Sequence, residues 1–215
     1  MGGVFSVRKI ISSFIRVNHA GELGAVYMYN GHLRIYKTFH MCEITHIETM
    51  LQNEKEHMEY FISKISSYSR PSIVNSVWRI CSESIGFIST FLMQHQGTMS
   101  CIDGVETVVS EHYSGQLSQI TIIIANQLAL LQREEERSVN LPELEKIDAL
   151  RYISSLEANI ALLEELKDKV SKFLEDEEMH RDSANAQYMT NKVTEIHRKF
   201  VMCLTKLAIN ISKRI

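Results

Sequence analysis

A chain of 215 residues with a formal net charge of −3 is long enough for one sizeable core and too short for two comfortable domains, so a single domain over 1–215 is expected. Two prolines and nine glycines exclude a turn-rich β architecture and favour an all-α class, while a pI near 6.3 excludes the basic footprint that nucleic acid needs. Cys42, Cys81, Cys101 and Cys203 show no CxxC spacing, which excludes a zinc knuckle and a disulfide framework and suits a reducing compartment.

The N-terminal stretch is basic and amphipathic through Arg8, Lys9 and Arg16, with no acid before Glu22. It is expected to be too short for a cleaved transit peptide, and Met1-Gly2 to Ser6 also fits a myristoylation pattern. Helical periodicity then covers about 19 to 39 and 43 to 66, and Arg70-Pro71-Ser72 interrupts it with a loop. From Ile73 to Met99 the chain is largely apolar, with Trp78, Ile85, Phe87 and Phe91 among small residues. That stretch reads as a core helix plus connector, or as a surface that dips into lipid. A third helix is expected from about Cys101, a fourth ending near Tyr188 and a fifth over "VTEIHRKFVMCLTKLAINISKRI". Between the third and fourth, Leu141, Leu144, Ile147, Leu150, Ile153, Leu156, Ile160, Leu163, Leu166 and Val170 form an amphipathic stripe, with Pro142 suited to the first helical position. Facing "LSQITIIIANQLALL", it predicts an antiparallel hairpin over about 118–160 that turns near "RSVN". No apolar run reaches the roughly 18 residues of a spanning helix.

Carboxylates on apolar faces carry the chemistry. In "RVNHAGELGAVYMYNG" the helical neighbours of Glu22 are Ala25, Val26 and Tyr29, so Glu22 points inward and needs a partner. Glu54 and His57 are three residues apart, as are Glu177 and His180, which puts each pair on one helical face. A Glu-x-x-His pair on each of two helices, joined by one Glu from each of two others, is the ligand set of di-iron carboxylate bundles. Glu106, flanked by Val105, Val108 and Val109, supplies the remaining acid. Four carboxylates balance two ferrous ions in a dry core, and oxygen ligands with two imidazoles suit iron better than zinc or calcium. A third pair, Glu43 with His46, lies eleven residues before Glu54, and spacing alone does not choose between the two. His19 and His112 read as structural or supporting histidines.

These segments together resemble a known family. "RVNHAGELGAVYMYNG", "EKEHM", "VETVVSEHYSGQL" and "EDEEMHRD" are similar, in order, to the four motifs of the demethoxyubiquinone hydroxylases, ferritin-like di-iron monooxygenases of ubiquinone biosynthesis. The resemblance implies a ferritin-like four-helix bundle with an additional C-terminal helix, the hairpin being an extension between the third and fourth bundle helices. It implies Glu22 as an iron ligand, bridging or terminal, Glu54 and His57 rather than Glu43 and His46, then Glu106, Glu177 and His180. Thr107 stands where the family has a second Glu, and His112 and Tyr113 match its His-Tyr beside the substrate. Two departures are the hairpin and a less glycine-rich stretch before the third helix, with Gln94, His95 and Gln96 near its end.

The implied reaction is hydroxylation of ring carbon 6 of a polyprenylated methoxy-benzoquinol, with two iron ions and O2 as co-substrate. Electrons would come from NADH or a reductase, and no dinucleotide fingerprint is present. Implied partners are the quinone, a membrane surface met by 73–99 and the last helix, other ubiquinone-biosynthesis proteins and a second copy of the chain. The implied location is peripheral, on the cytoplasmic face of a bacterial inner membrane or the matrix face of the mitochondrial inner membrane. Rival readings are an iron-storage or ferroxidase bundle, and a non-catalytic scaffold whose acids pair with lysines.

Overall fold

A computed structural model describes residues 2–214, with side chains from Val7 onward, so the myristoylation pattern lies outside the described side chains. The described residues form helices and no strand, as an all-α ferritin-like bundle with an extra C-terminal helix. They are α1 (Gly2–Thr38), α2 (Ile44–Tyr68), α3 (Asn75–Ser138), α4 (Glu143–Ala186) and α5 (Lys192–Ser212). Helix α1 starts far earlier than the periodicity near 19 suggests. Nothing before Asn18 stops a helix, and Val7, Ile11 and Ile15 gain a partner surface in Ile120, Leu162, Leu163 and Leu166 at the base of the hairpin.

The third helix does not begin at Cys101. The apolar stretch is itself helical up to a break at Gln94 (φ 50, ψ −138), inside the span of α3. There the chain folds back, so that Thr90 and Thr98 share a hydrogen bond of 2.9 Å. A left-handed non-glycine residue costs about 1–3 kcal/mol. Part of the compensation comes from Gln96, whose Oε1 accepts from the Met189 backbone N–H at 2.7 Å. The 75–93 segment lies so close to α1 that side chains are excluded at the crossing. A Cβ on Gly86 would run into the Met28 carbonyl, and one on Gly31 into that of Glu83.

The hairpin turns where "RSVN" places it, between Ser138 and Glu143. Pro142 sits one position before the first helical residue, as the N-cap. On α4 a seven-residue repeat of buried positions runs through Ala149, Leu156, Leu163, Val170 and Glu177, with a second through Asn159, Leu166, Phe173 and His180. Helix α3 answers with Met99, Glu106, Tyr113, Ile120 and Gln127. This is the seam of a left-handed coiled coil, and the acids of the bundle occupy its positions. The outer part of the expected stripe is wrong: Leu144, Ile147 and Leu150 are exposed. Steps of three slip off the seam, which continues through Ala149 instead. Helix α5 is closed at its start by a capping box between Asn191 and Thr194.

Candidate metal centre

Side chains from α1 to α4 meet in the middle of the bundle. Ligand atoms of Glu22, Glu54, His57 and Glu177 lie within 4.8 Å of one another, as do those of Glu54, Glu106, Glu177 and His180. All six residues are buried. The two groups overlap in Glu54 and Glu177, which are therefore placed to reach two positions at once. Glu22 with His57 closes one end, and Glu106 with His180 the other. Of the two roles open to Glu22, this geometry suits the terminal one.

The atoms converge on common points rather than on each other. His180 Nδ1 is 3.1 Å from Glu54 Oε1, and His57 Nδ1 is 3.3 Å from Glu177 Oε1 and 3.7 Å from Glu22 Oε2. Yet both Glu54 oxygens, Glu177 Oε2 and both Nδ1 atoms are buried without a properly directed hydrogen bond. Orphaned polar atoms of this kind are costly, and two cations among them remove the cost. The donor set of four carboxylates and two imidazoles fits a pair of iron ions.

Protons stand in for cations in the protein alone. Burial, then the charge of Glu177, pushes Glu54 up to about 8, and burial with Glu177 and Glu54 also raises Glu106. Burial opposes charge on His57, but hydrogen bonds to Glu177 and Glu22 outweigh it and raise the ring to about 12. The same balance, with Glu177 and Glu54 as partners, raises His180 to about 9. Burial opposes ionisation of Glu177 too, yet His180 and His57 pull it down to about 2.

A supporting layer has a symmetry that was missed in the sequence. The residue before each Glu-x-x-His pair crosses to the histidine of the other pair. His57 Nε2 lies 3.1 Å from Asp176 Oδ2, and the Asn53 amide lies 3.2 Å from His180 Nε2, its oxygen able to accept there once the amide is turned over. Two tyrosines serve the terminal acids alike. Tyr113 donates to Glu22, and Tyr29, read only as an apolar neighbour, donates to Glu106 Oε1 at 3.0 Å. The one available signal was repetition, an amide or acid immediately before each pair.

Glu43 and His46 are elsewhere. Glu43 binds His95 at 2.8 Å, and His46 lies against Ser183 and Gln187. His19 is 3.5 Å from the Asn75 amide, away from the cluster. His112 Nε2 is 3.3 Å from Asn18 Oδ1, and burial lowers the ring to about 4. It shares with Tyr113 the wall of a cavity of about 450 Å³ that reaches Glu22, Glu54, Glu106 and Glu177. Its other walls are mostly apolar, including Ile85, Val105 and Val109, with Leu204 and Ala208 from α5.

An antiparallel ferritin-like bundle with two overlapping Glu/His groups at its centre defines a class, the carboxylate-bridged two-metal bundles. Within it, residues 9–212 match the family described as "Ubiquinone biosynthesis protein COQ7", and the chain belongs to that family. The "NADPH-dependent 3-demethoxyubiquinone 3-hydroxylase, mitochondrial" of Dictyostelium discoideum is 38% identical over 114 residues, 53% of this chain and 51% of that protein. The "5-demethoxyubiquinone hydroxylase, mitochondrial" of Saccharomyces cerevisiae is 33% identical over 121 residues, 54% of this chain and 48% of the relative. The "3-demethoxyubiquinol 3-hydroxylase" of Rhodospirillum rubrum is 27% identical over 116 residues, 54% of each. The chain thus spans about half the length of the curated relatives it matches.

Proposed function

We propose that this chain is an O2-dependent monooxygenase that hydroxylates the ring of a polyprenylated methoxy-benzoquinol in ubiquinone biosynthesis. The observation that carries this reading is the junction of the two overlapping Glu/His groups with a largely apolar cavity. Glu22, His57, Glu106 and His180 hold two iron ions at the ends, with Glu54 and Glu177 between them. Bound iron supplies the reduction of dioxygen that no side chain can perform. The chain itself excludes water and orients the ring. Tyr113 fixes Glu22, and His112, neutral at physiological pH, offers the quinol head a polar contact at the cavity wall. Electrons come from a reduced nicotinamide, the class that the relatives' names carry. Iron storage is less well supported, because iron as cargo has no need of an apolar cavity. The scaffold reading fares no better, since the acids of the cluster pair with histidines and tyrosines rather than lysines among the described residues.

The cavity is walled by the 75–93 segment and α5, and both carry exposed apolar side chains: Ile80, Ile88, Phe91 and Leu92 on one, Ile196, Phe200 and Leu207 on the other. No helix among the described residues is long and apolar enough to cross a membrane. We assign this face to a membrane surface, from which a long-tailed quinone reaches the cavity without crossing water. The seam shared by hairpin and bundle supports one domain over 1–215.

The deciding experiment supplies iron-loaded protein with a demethoxyquinol, a reductant and labelled dioxygen. About two irons per chain and one labelled oxygen on the ring are expected. Iron uptake without ring hydroxylation overturns the enzyme assignment and favours storage.

A further inference from the structure

A run of polar side chains between α1 and the break in α3 has no part in holding metal or quinol. Glu43 Oε2 lies 2.8 Å from His95 Nδ1, and the same nitrogen is 2.9 Å from the Tyr36 hydroxyl. Tyr36 is bonded to Thr98, Thr98 Oγ1 is 2.9 Å from Thr90 Oγ1, and Thr90 Oγ1 is 2.7 Å from His32 Nδ1. At the outer end the side chains of His95 and Glu43 are 25% and 51% exposed. Tyr36, Thr98, Thr90 and His32 are wholly buried. At the inner end His32 Nε2 has no partner, and its ring meets that of Tyr29 edge-on with centroids 6.3 Å apart. The Tyr29 hydroxyl is bonded to Glu106.

Mutual satisfaction of buried hydroxyls explains the middle of this run but neither end. His95 reaches Tyr36 from the residue after the left-handed Gln94, and Glu43 is itself left-handed (φ 69). Strained backbone held in place at both outer residues marks a selected geometry. The inner end stops on an orphaned nitrogen beside the tyrosine that holds a metal-centre acid. None of the six residues lines the quinol cavity, so the run approaches the centre from a different side.

We propose that Glu43, His95, Tyr36, Thr98, Thr90 and His32 form a proton track from the surface to the edge of the metal centre. Each hydroxyl donates and accepts at once, so a proton taken up at Glu43 and His95 moves one onto His32 Nδ1 while Nε2 releases its own toward Tyr29. Burial lowers His32 to about 3, leaving the neutral ring with one N–H and one bare nitrogen that such an exchange requires. The role in turnover rests on the hydroxylase reading. There one ring C–H, O2, two electrons from a reduced nicotinamide and two protons give one C–OH and one water, and the track supplies the two protons.

The test begins on metal-free protein, where isotope-labelled histidine lets NMR follow exchange of the His32 ring proton with deuterated water. Tyr36→Phe and Thr90→Val should slow it by at least about tenfold, with α1 amide exchange unchanged as the reference for local opening. Unaltered His32 exchange in both variants overturns the track. Slowed exchange in a protein that hydroxylates no quinol keeps the track and removes the hydroxylase reading. With turnover present, both variants should bind iron as wild type does, yet show a larger solvent deuterium isotope effect and less product per oxygen consumed. Wild-type values of both would overturn the role in turnover.

Discussion

Asp176 on α4 and His57 on α2 meet at 3.1 Å, so a residue preceding one Glu-x-x-His pair orients the histidine of the other. An imidazole that binds metal through Nδ1 needs its Nε2–H anchored, and a carboxylate anchor also makes it a better ligand. Asp176→Ala should therefore weaken iron binding by about 10–100-fold, read by titrating ferrous iron into metal-free protein. Because the Asp176 side chain is 34% exposed, folding should survive. Wild-type affinity would leave Asp176 a surface acid.

The overlap of the two groups sets an order among the ligands. Glu177 reaches both positions, so Glu177→Ala should cost most of the iron, whereas Glu106→Ala should spare the position closed by Glu22 and His57. Glu43→Ala and His46→Ala should keep the wild-type iron content, since neither residue approaches the cluster. Equal iron loss from His46→Ala and Glu177→Ala would contradict this arrangement.

Ligand types and helices were legible in the sequence because both follow from period and spacing. Glu54 and Glu43 were not separable that way: their eleven-residue offset is nearly three whole turns, so both face alike in projection. What separates them is depth along α2, since Glu43 lies at its N-cap and Glu54 in mid-bundle. Leu144, Ile147 and Leu150 misled for a related reason. A two-helix hairpin has one seam, and an apolar residue beside it looks the same in sequence as one within it. The break at Gln94 gave no sign, because neither Gly nor Pro marks it.

At the crossing of α1 with the 75–93 segment, Gly86 packs on the Met28 carbonyl. Gly86→Ala must push the segment away from α1 and loosen one wall of the cavity. A loss of about 1–3 kcal/mol is expected, read as a lower urea midpoint. Gly115→Ala, where an added Cβ meets nothing within 4 Å, should be neutral or stabilising.

Acid should unfold the metal-free protein partly through His32. Burial depresses its folded-state pKa to about 3 from 6.5. Above 6.5 the ring is neutral in both states and no penalty arises. As pH falls below 6.5 the unfolded chain takes up a proton that the folded one refuses, so stability drops by about 1.4 kcal/mol per pH unit toward 3. His32→Gln should flatten the fall of the urea midpoint between pH 6 and 4 by roughly that slope. An unchanged slope would mean that His32 is protonated without unfolding.

Phe87 and Phe91 stack with centroids 6.0 Å apart, and Phe91 and Leu92 stand 56% and 70% exposed on a segment that walls the cavity. In water such side chains gain nothing from their position. Against lipid, each recovers part of the roughly 1.5–3 kcal/mol of a buried apolar side chain. Replacing both with Glu should lower binding to phospholipid vesicles by on the order of tenfold or more without lowering the melting temperature, since neither is in the core. The KM for a long-tailed quinol should rise, while kcat on a tail-less analogue stays constant because the metal ligands are untouched. Vesicle binding equal to wild type would move the docking surface to the Ile196 and Phe200 face of α5, where the same pair of measurements with Phe200→Glu would find it.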